Sequence, residues 1–422
     1  MNVLNEKGID AILDSENCRK AYRKVKANRG AAGVDGISVD ELADHIRTHW
    51  PTIEQKLRAG TYQPGLLRPV SIPKAGGGSR ELSIPTTQDR LIQQAIAQPL
   101  GEVFEPLFSR YSYGYRPGKS AHDAVRQMRH YVVEDGLKYV VDIDIRCFFD
   151  EVNHDILMRQ IAEEVNDKTV LRLIGSYLRA GKLVNNQKVR HNGKGVPQGG
   201  PLSPLLANIY LTPLDRELEK RGLRFVRYAD DLTIYAGSQR AAERILSSIV
   251  AWIEKNRKLR INTTKSGIRH PSEGGFLGYR IERDGRLAIS RKSEEQFKEK
   301  VRYLLDARRP WKWDKLIDQW QKYVRGWVNY YGLTEWTEYR RLSGWCRRHV
   351  RKLCWQRWHN WKGRHNAFLR LKARPSHLRL AHCDRGAWRM AKHAALQSVL
   401  NNRRLRSWGF ITPADLVRVS LR

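Results

Sequence analysis

The sequence predicts an α+β protein: an antiparallel sheet with helices packed on one face, followed by a helical and strongly basic last third. Three observations predict it. Segments with period-two alternation recur upstream of residue 290, amphipathic stripes lie between them, and after residue 290 arginine and tryptophan dominate. Tyr139-Val140-Val141-Asp142-Ile143-Asp144-Ile145 alternates and is rich in β-branched residues, so it reads as a strand. Leu223 to Tyr228 and Leu232 to Ala236 are two more, and Ala229-Asp230-Asp231 between them forms a hairpin tip. From Ala242 to Asn256, Ile245, Ile249 and Ile253 recur every four residues, the stripe of an amphipathic helix. A further strand is expected over Leu259 to Asn262. Nearer the start, Arg68 to Ser71 and Glu81 to Ile84 flank a glycine-rich turn running from Lys74 to Arg80, which predicts paired strands.

The charge is uneven. The 422 residues carry 77 Lys and Arg against 44 Asp and Glu, a net +33, which a polyanion such as nucleic acid would neutralise. Residues 291 to 422 hold 32 basic and 10 acidic residues, so less than a third of the chain carries two thirds of the excess. No stretch approaches the roughly 18 apolar residues of a membrane helix, and Met1 to Lys20 reads as neither a signal nor a transit peptide. Cys18, Cys147, Cys346, Cys354 and Cys383 form no C-x-x-C pair, so a zinc or redox centre is not expected and a reducing cytoplasm fits.

In so basic a chain the clustered acids stand out. Asp142 and Asp144 are two apart on a strand and face the same way, while Asp230 and Asp231 sit at a hairpin tip. An isolated pair of turn aspartates is ordinary turn chemistry. Four carboxylates on strands that can be neighbours repel one another, and a pair of Mg²⁺ ions about 3.5 to 4 Å apart relieves that cost while building a site for phosphoryl transfer.

Tyr228-Ala229-Asp230-Asp231, Asp144-Ile145-Arg146-Cys147-Phe148-Phe149-Asp150 and Gly195-Val196-Pro197-Gln198-Gly199-Gly200-Pro201-Leu202-Ser203-Pro204 resemble motifs C, A and B of reverse transcriptases in order and spacing. More narrowly, the chain resembles the reverse transcriptase/maturase proteins encoded by bacterial group II introns. Asn28 to Gly36 is similar to their N-terminal extension motif, Tyr113 to Gly118 to their fingers-palm junction, and Tyr323 to Tyr331 to their maturase (X) domain. The resemblance implies a right-hand polymerase fold divided as 1–62 N-terminal extension, 63–115 fingers, 116–285 palm, 286–375 helical thumb and maturase domain, and 376–422 basic DNA-binding-like segment.

It also implies roles. Asp144, Asp230 and Asp231 become the catalytic carboxylates holding two Mg²⁺ ions, with the Ile145 carbonyl as a further oxygen ligand. Counting back from Phe149-Asp150, as the family's motif does, selects Asp144 and leaves Asp142 structural. Phe149 falls where the family places a steric gate against a ribonucleotide 2′-hydroxyl, beside a core Phe148. Lys74 and Arg80 would meet the triphosphate of a deoxynucleoside triphosphate substrate, as a point charge and a bidentate fork; solvated hairpin charges are the alternative. Gln198 lies in a loop feeding a helix that Ser203 can cap and Pro204 can begin, with Leu205, Leu206 and Ile209 on its buried side. Lys265 resembles the motif D lysine, a general acid toward pyrophosphate, or else is a surface lysine. Phe276-Leu277-Gly278-Tyr279 resembles the primer grip and on its own residues reads as a plain strand.

Two decoys fail. Gly114-Tyr115-Arg116-Pro117-Gly118-Lys119-Ser120 is one residue short of a P-loop, and Pro117 removes an amide such a loop needs. His365-Asn366 lacks the paired cysteines of an H-N-H nuclease, so no endonuclease domain is expected within the 422 residues. In the basic tail Arg325, Arg347, Arg348, Arg351, Lys352 and Arg357 are RNA-binding candidates, while Trp327 and Tyr330, three apart on one face, read as core. The partners implied are group II intron RNA in a ribonucleoprotein, a DNA target and a primer strand, in a bacterial cytoplasm without membrane. Two other classes keep parts of this reading: a host-adopted relative used in repair or defence, and a pure RNA-binding splicing factor with an inactive polymerase, against which the intact Asp144, Asp230 and Asp231 argue.

Overall fold

Ten strands form among the described residues: β1 (Arg68–Pro73), β2 (Ser79–Ile84), β3 (Tyr139–Ile143), β4 (Lys182–Val184), β5 (Gln187–Val189), β6 (Arg224–Tyr228), β7 (Asp231–Ala236), β8 (Gly267–Arg269), β9 (Tyr279–Ile281) and β10 (Leu287–Ile289). The computed structural model describes residues 2–73, 78–184, 187–189, 193–383 and 385–420. They fall into two units, Met1–His270 and Pro271–Arg422.

The first unit is built on a four-stranded antiparallel sheet in the order β6-β7-β3-β8. Helix Gln239–Arg257 starts on a Ser238 cap and buries Ala242, Ile249 and Ile253 completely in the core; of the predicted four-residue repeat, Ile245 is only half-buried. The expectation of helices on one face only is corrected. In β7, Leu232, Thr233, Ile234, Tyr235 and Ala236 are all buried, so side chains of both orientations are covered. Tyr131, from helix Ala121–Val133, packs its ring 5.3 Å from Tyr235. Helix Ser203–Lys220 contributes Tyr210, Leu211, Leu214 and Leu218, all fully buried.

Several local expectations change. Leu259 to Asn262 is no strand; β3 ends at Ile143, and only an isolated bridge between Ile145 and Ile261 continues the pairing. The fourth strand is instead β8, three residues containing a glycine, too short to alternate visibly. Ser203 does not cap its helix. It is the first helical residue, and its hydroxyl donates to the Pro197 carbonyl at 2.6 Å.

In the second unit the hairpin β9–β10 precedes helices Arg291–Leu304, Trp313–Tyr330, Trp336–Arg357 and Trp361–Arg370, then shorter ones. Phe297, Trp320, Tyr339, Trp355, Phe368 and Phe410 are fully buried and form its core. Phe276 to Tyr279 is a tight turn rather than a strand, with Leu277 at φ 50° and Gly278 at φ 78° between the paired Phe276 and Tyr279. No helix among the described residues is long and apolar enough to cross a membrane.

Candidate active site

Strand register brings the acidic motifs together. Ile143 faces Leu232 across the β3–β7 pair, so one more step sets Asp144 against Asp231. Tyr228 pairs with Asp231 in β6–β7, which leaves Ala229 and Asp230 as a two-residue tip with Ala229 in a left-handed conformation at φ 57°. Beyond β3 the backbone of Asp144 is held on both sides: its N–H donates to Ser266 Oγ at 2.9 Å, and its carbonyl accepts from the Asn262 N–H at 2.8 Å. Arg146 N–H donates to the Arg260 carbonyl, and none of these bonds uses the Ile145 carbonyl.

The tip is anchored from below by a buried charge. Arg227 is fully buried, and its guanidinium donates to both carboxylate oxygens of the equally buried Asp215, at 2.7 and 2.5 Å. The same fork donates to Asn208 Oδ1 at 3.0 Å and to the Ala229 carbonyl at 2.8 Å. Asn208 in turn donates to the Gly114 carbonyl. Gly114 lies so close to the tip that a Cβ there would sit 2.4 Å from the Ala229 nitrogen. Sequence reasoning missed this network, although an arginine inside the apolar run Phe225-Val226-Arg227-Tyr228 and an aspartate inside a helical core stretch were a legible sign of a buried pair.

Asp142 points to a different task. Arg269 forms two hydrogen bonds to its carboxylate. Of the other three, Asp144 is half-buried with Lys265 Nζ 3.9 Å away. Burial pushes the Asp230 carboxyl up, with Asp144 adding to the push and Arg80 opposing it. Asp231 opens to solvent at its surface but is walled in by surrounding protein. That burial, then the charges of Asp230, Asp144 and Asp142, push its carboxyl up to about 6. Among the described residues no three His, Cys, Asp or Glu side chains stand close enough to chelate an ion, so the three carboxylates are neighbours and not a formed ligand shell. Their chemistry nevertheless suits a hard divalent cation: all donors are oxygen, and burial together with mutual repulsion makes the ionised cluster costly without a cation.

Beside them lies a cavity of about 460 Å³ lined by Arg80, Tyr115, Phe149, Gln198, Gly199 and Gly200, among others. Phe148 is buried and Phe149 half-buried, their rings 5.2 Å apart at 75°, so the two diverge. The Gln198 carbonyl accepts from Ser83 N–H at 2.7 Å, tying the loop to β2. Gly199, at φ 129°, meets the same strand so closely that a Cβ would stand 2.9 Å from the Ser83 oxygen. Lys74 lies outside the described residues.

The tail candidates divide. Arg325 is exposed on helix Trp313–Tyr330, and Arg348 and Lys352 are half-buried. Arg347 donates to Thr412 Oγ1 and Asp415, and Arg357 donates to the Trp311 carbonyl with its guanidinium 4.7 Å from the Trp313 ring. Arg351 is corrected as an RNA-binding residue. It is only 5% exposed, and its fork donates to the Leu400 carbonyl and Asn402 Oδ1, bracing helix Trp336–Arg357 against the chain that follows. Trp327 is buried as expected, but Tyr330 is 39% exposed with its hydroxyl donating to the Leu277 carbonyl.

Residues 72–281 match the family described as reverse transcriptase (RNA-dependent DNA polymerase), and with the palm sheet and its carboxylates they define a reverse transcriptase of the right-hand polymerase fold. Residues 295–371 match the group II intron maturase-specific domain. Protein YkfC of Escherichia coli (strain K12) is 30% identical over 64% of this chain and 81% of its own length. Group II intron-encoded protein LtrA of Lactococcus lactis is 31% identical over 65% of this chain and 57% of its own length. The solved partial Cas6-RT-Cas1–Cas2 complex is similar at 25% identity over 59% of this chain and 43% of that one, with a TM-score of 0.37. The chain belongs to the group II intron reverse transcriptase/maturase family, and it spans little more than half the length of LtrA.

Proposed function

We propose that this RNA-directed DNA polymerase works at Asp144, Asp230 and Asp231, on deoxynucleoside triphosphates, and that the chain also binds a group II intron RNA, assists its splicing and copies it into DNA at a DNA target. The observation that carries the catalytic part is the register that sets Asp144 against Asp231 next to the cavity of Arg80, Phe149 and Gln198. Asp144, Asp230, Asp231 and the Ile145 carbonyl would hold two Mg²⁺ ions, which when bound neutralise charge on the reacting oxygens. Phe149 closes the floor of the sugar site against a 2′-hydroxyl. Arg80 offers its fork to the triphosphate, and Gln198 borders the pair being formed. As the primer 3′-hydroxyl loses its proton to solvent and its oxygen bonds to the α-phosphorus, the bond to pyrophosphate breaks, and Lys265, close to Asp144, gives its ammonium proton to the departing oxygen and is reprotonated from water.

The maturase part is supported by the match over residues 295–371 and by an excess positive charge in the same region. The division into N-terminal extension, fingers, palm, thumb with maturase domain and basic segment, and a place in the bacterial cytoplasm, belong to the same proposal. Primer extension on an RNA template tests it. Wild type should extend at least about 10³-fold faster than Asp230→Ala, a difference of several kcal/mol in transition-state stabilisation. Equal rates for the two proteins would overturn the catalytic assignment.

A further inference from the structure

Tyr115 adopts a left-handed backbone at φ 58°, a conformation strained for a bulky L-residue. Its surroundings do not let it relax. On one side the Tyr113 N–H donates to the Arg227 carbonyl, and the Gly114 carbonyl accepts from Asn208. On the other, the Arg116 guanidinium is buried against Glu105 and donates to the carbonyls of Ser109 and Ser112. The strained residue is not buried in return, for Tyr115 is 55% exposed. A fixed turn that presents an exposed ring gains nothing from core packing, so the ring's use lies in what it faces.

It faces the catalytic tip and two hollows. Its centroid is 6.4 Å from that of Tyr228, the residue before Ala229 and Asp230. Partial burial, then the Asp230 carboxylate, pushes its phenol up. The ring lines the 460 Å³ cavity with Arg80, Phe149 and Gln198. It also lines a larger groove of about 1130 Å³ whose wall mixes three lysines, Lys20 and Lys24 among them, with five carboxylates. Gln94, Tyr115, Pro201 and Pro204 are common to both and so form the wall between them.

We propose that Tyr115 is a stacking platform for a nucleobase at the entrance to the nucleotide cavity. An aromatic face suits any base, as sequence-independent copying requires, and two flanking prolines offer rigid apolar walls. The base can come from the incoming nucleotide or from the unpaired template strand. The inference rests on the polymerase reading of the site.

Tyr115→Gly, Tyr115→Ala and Tyr115→Phe in the full chain test it, with melting temperature, KM for deoxynucleoside triphosphate, and Kd for primer–template duplexes with and without an unpaired template overhang. Glycine adopts φ 58° without strain. Tyr115→Gly should therefore melt no lower than wild type while losing about tenfold, within the range of one base–aromatic stack, in one of the two constants. Tyr115→Phe should keep wild-type values. A rise in KM with unchanged Kd assigns the incoming base; a Kd that rises only for the overhang duplex assigns the template base. Tyr115→Gly with wild-type KM and wild-type overhang affinity overturns the proposal, whatever its melting temperature. Should wild type extend no better than Asp230→Ala, the polymerase reading is what has failed; the overhang Kd and the Kd of the deoxynucleoside triphosphate itself, neither of which needs catalysis, then decide, and Tyr115→Gly with both at wild-type values overturns the proposal.

Discussion

The two units use charge in opposite ways. Residues 1 to 270 hold 42 basic and 31 acidic residues, and residues 271 to 422 hold 35 and 13, so the smaller unit carries twice the excess. In the first unit the informative charges are individually placed: Arg227 locked to a buried Asp215, and Asp144 set against Asp231 by strand register. In the second the core is aromatic, and arginine is mostly a coat, with Arg351 as an internal brace. On the proposed function, the first unit would depend on a few fixed positions and the second would spread its task over many exposed arginines. Substitutions should separate the two sharply.

The largest effect is expected beneath the tip. Arg227→Met leaves Asp215 buried without a partner and should cost about 3 to 5 kcal/mol of unfolding free energy in denaturant titration. The paired change Arg227→Met with Asp215→Leu should recover most of that stability without recovering activity, because the Ala229 carbonyl stays unheld. Recovery of both would reduce the network to packing.

Next comes sugar selection. Phe149→Ala should admit ribonucleotides, narrowing discrimination by about 10² in competitive single-nucleotide insertion. Unchanged selectivity would remove the gate from Phe149.

The third test is pH. With the Asp231 carboxyl up at about 6, acidification through that value protonates it, so activity at fixed low Mg²⁺ should fall about tenfold per pH unit below 6 and hold above it. The sign for folding is the reverse. A raised carboxyl favours the folded protein below the folded value and withdraws that help as pH rises through 6, so without divalent ions thermal melting should rise modestly between pH 7 and pH 5 from this group. A carboxyl already relieved by a fixed partner would show neither trend.

The smallest effect belongs to the coat. Arg325→Ala should weaken RNA binding only about two- to threefold, and flatten the dependence of log Kd on log salt by about one unit at most. A collapse of binding from this single change would mean that the second unit, too, has a pinpoint site.

The same contrast explains what the sequence could reveal. The strand that leads to Asp144 and the one that begins at Asp231 were legible because Val140, Val141 and Ile143, and Leu232 and Ile234, have local β preference, and their acids interrupt it visibly. The divergence of Phe148 and Phe149 was legible too, since a strand-to-helix turn must send adjacent rings apart. What was not legible depends on distant partners. β8 exists because β3 offers it an edge, and Leu259 to Asn262 fails as a strand because β3 has already ended. Ser203 stands inside the helix and gives its hydroxyl proton to the Pro197 carbonyl, instead of accepting from the N–H groups of the helix start it was expected to cap. Arg351 looked like its neighbours until Leu400 and Asn402 folded over it.

The near-contact of Gly114 with the Ala229 nitrogen has a practical side. Residues more than a hundred positions apart in the chain share a space with no room for one added methyl group. Any library that varies the turn at Ala229 and Asp230 will lose most members unless position 114 stays glycine, and recombination between distant relatives will be safest where both segments come from one parent.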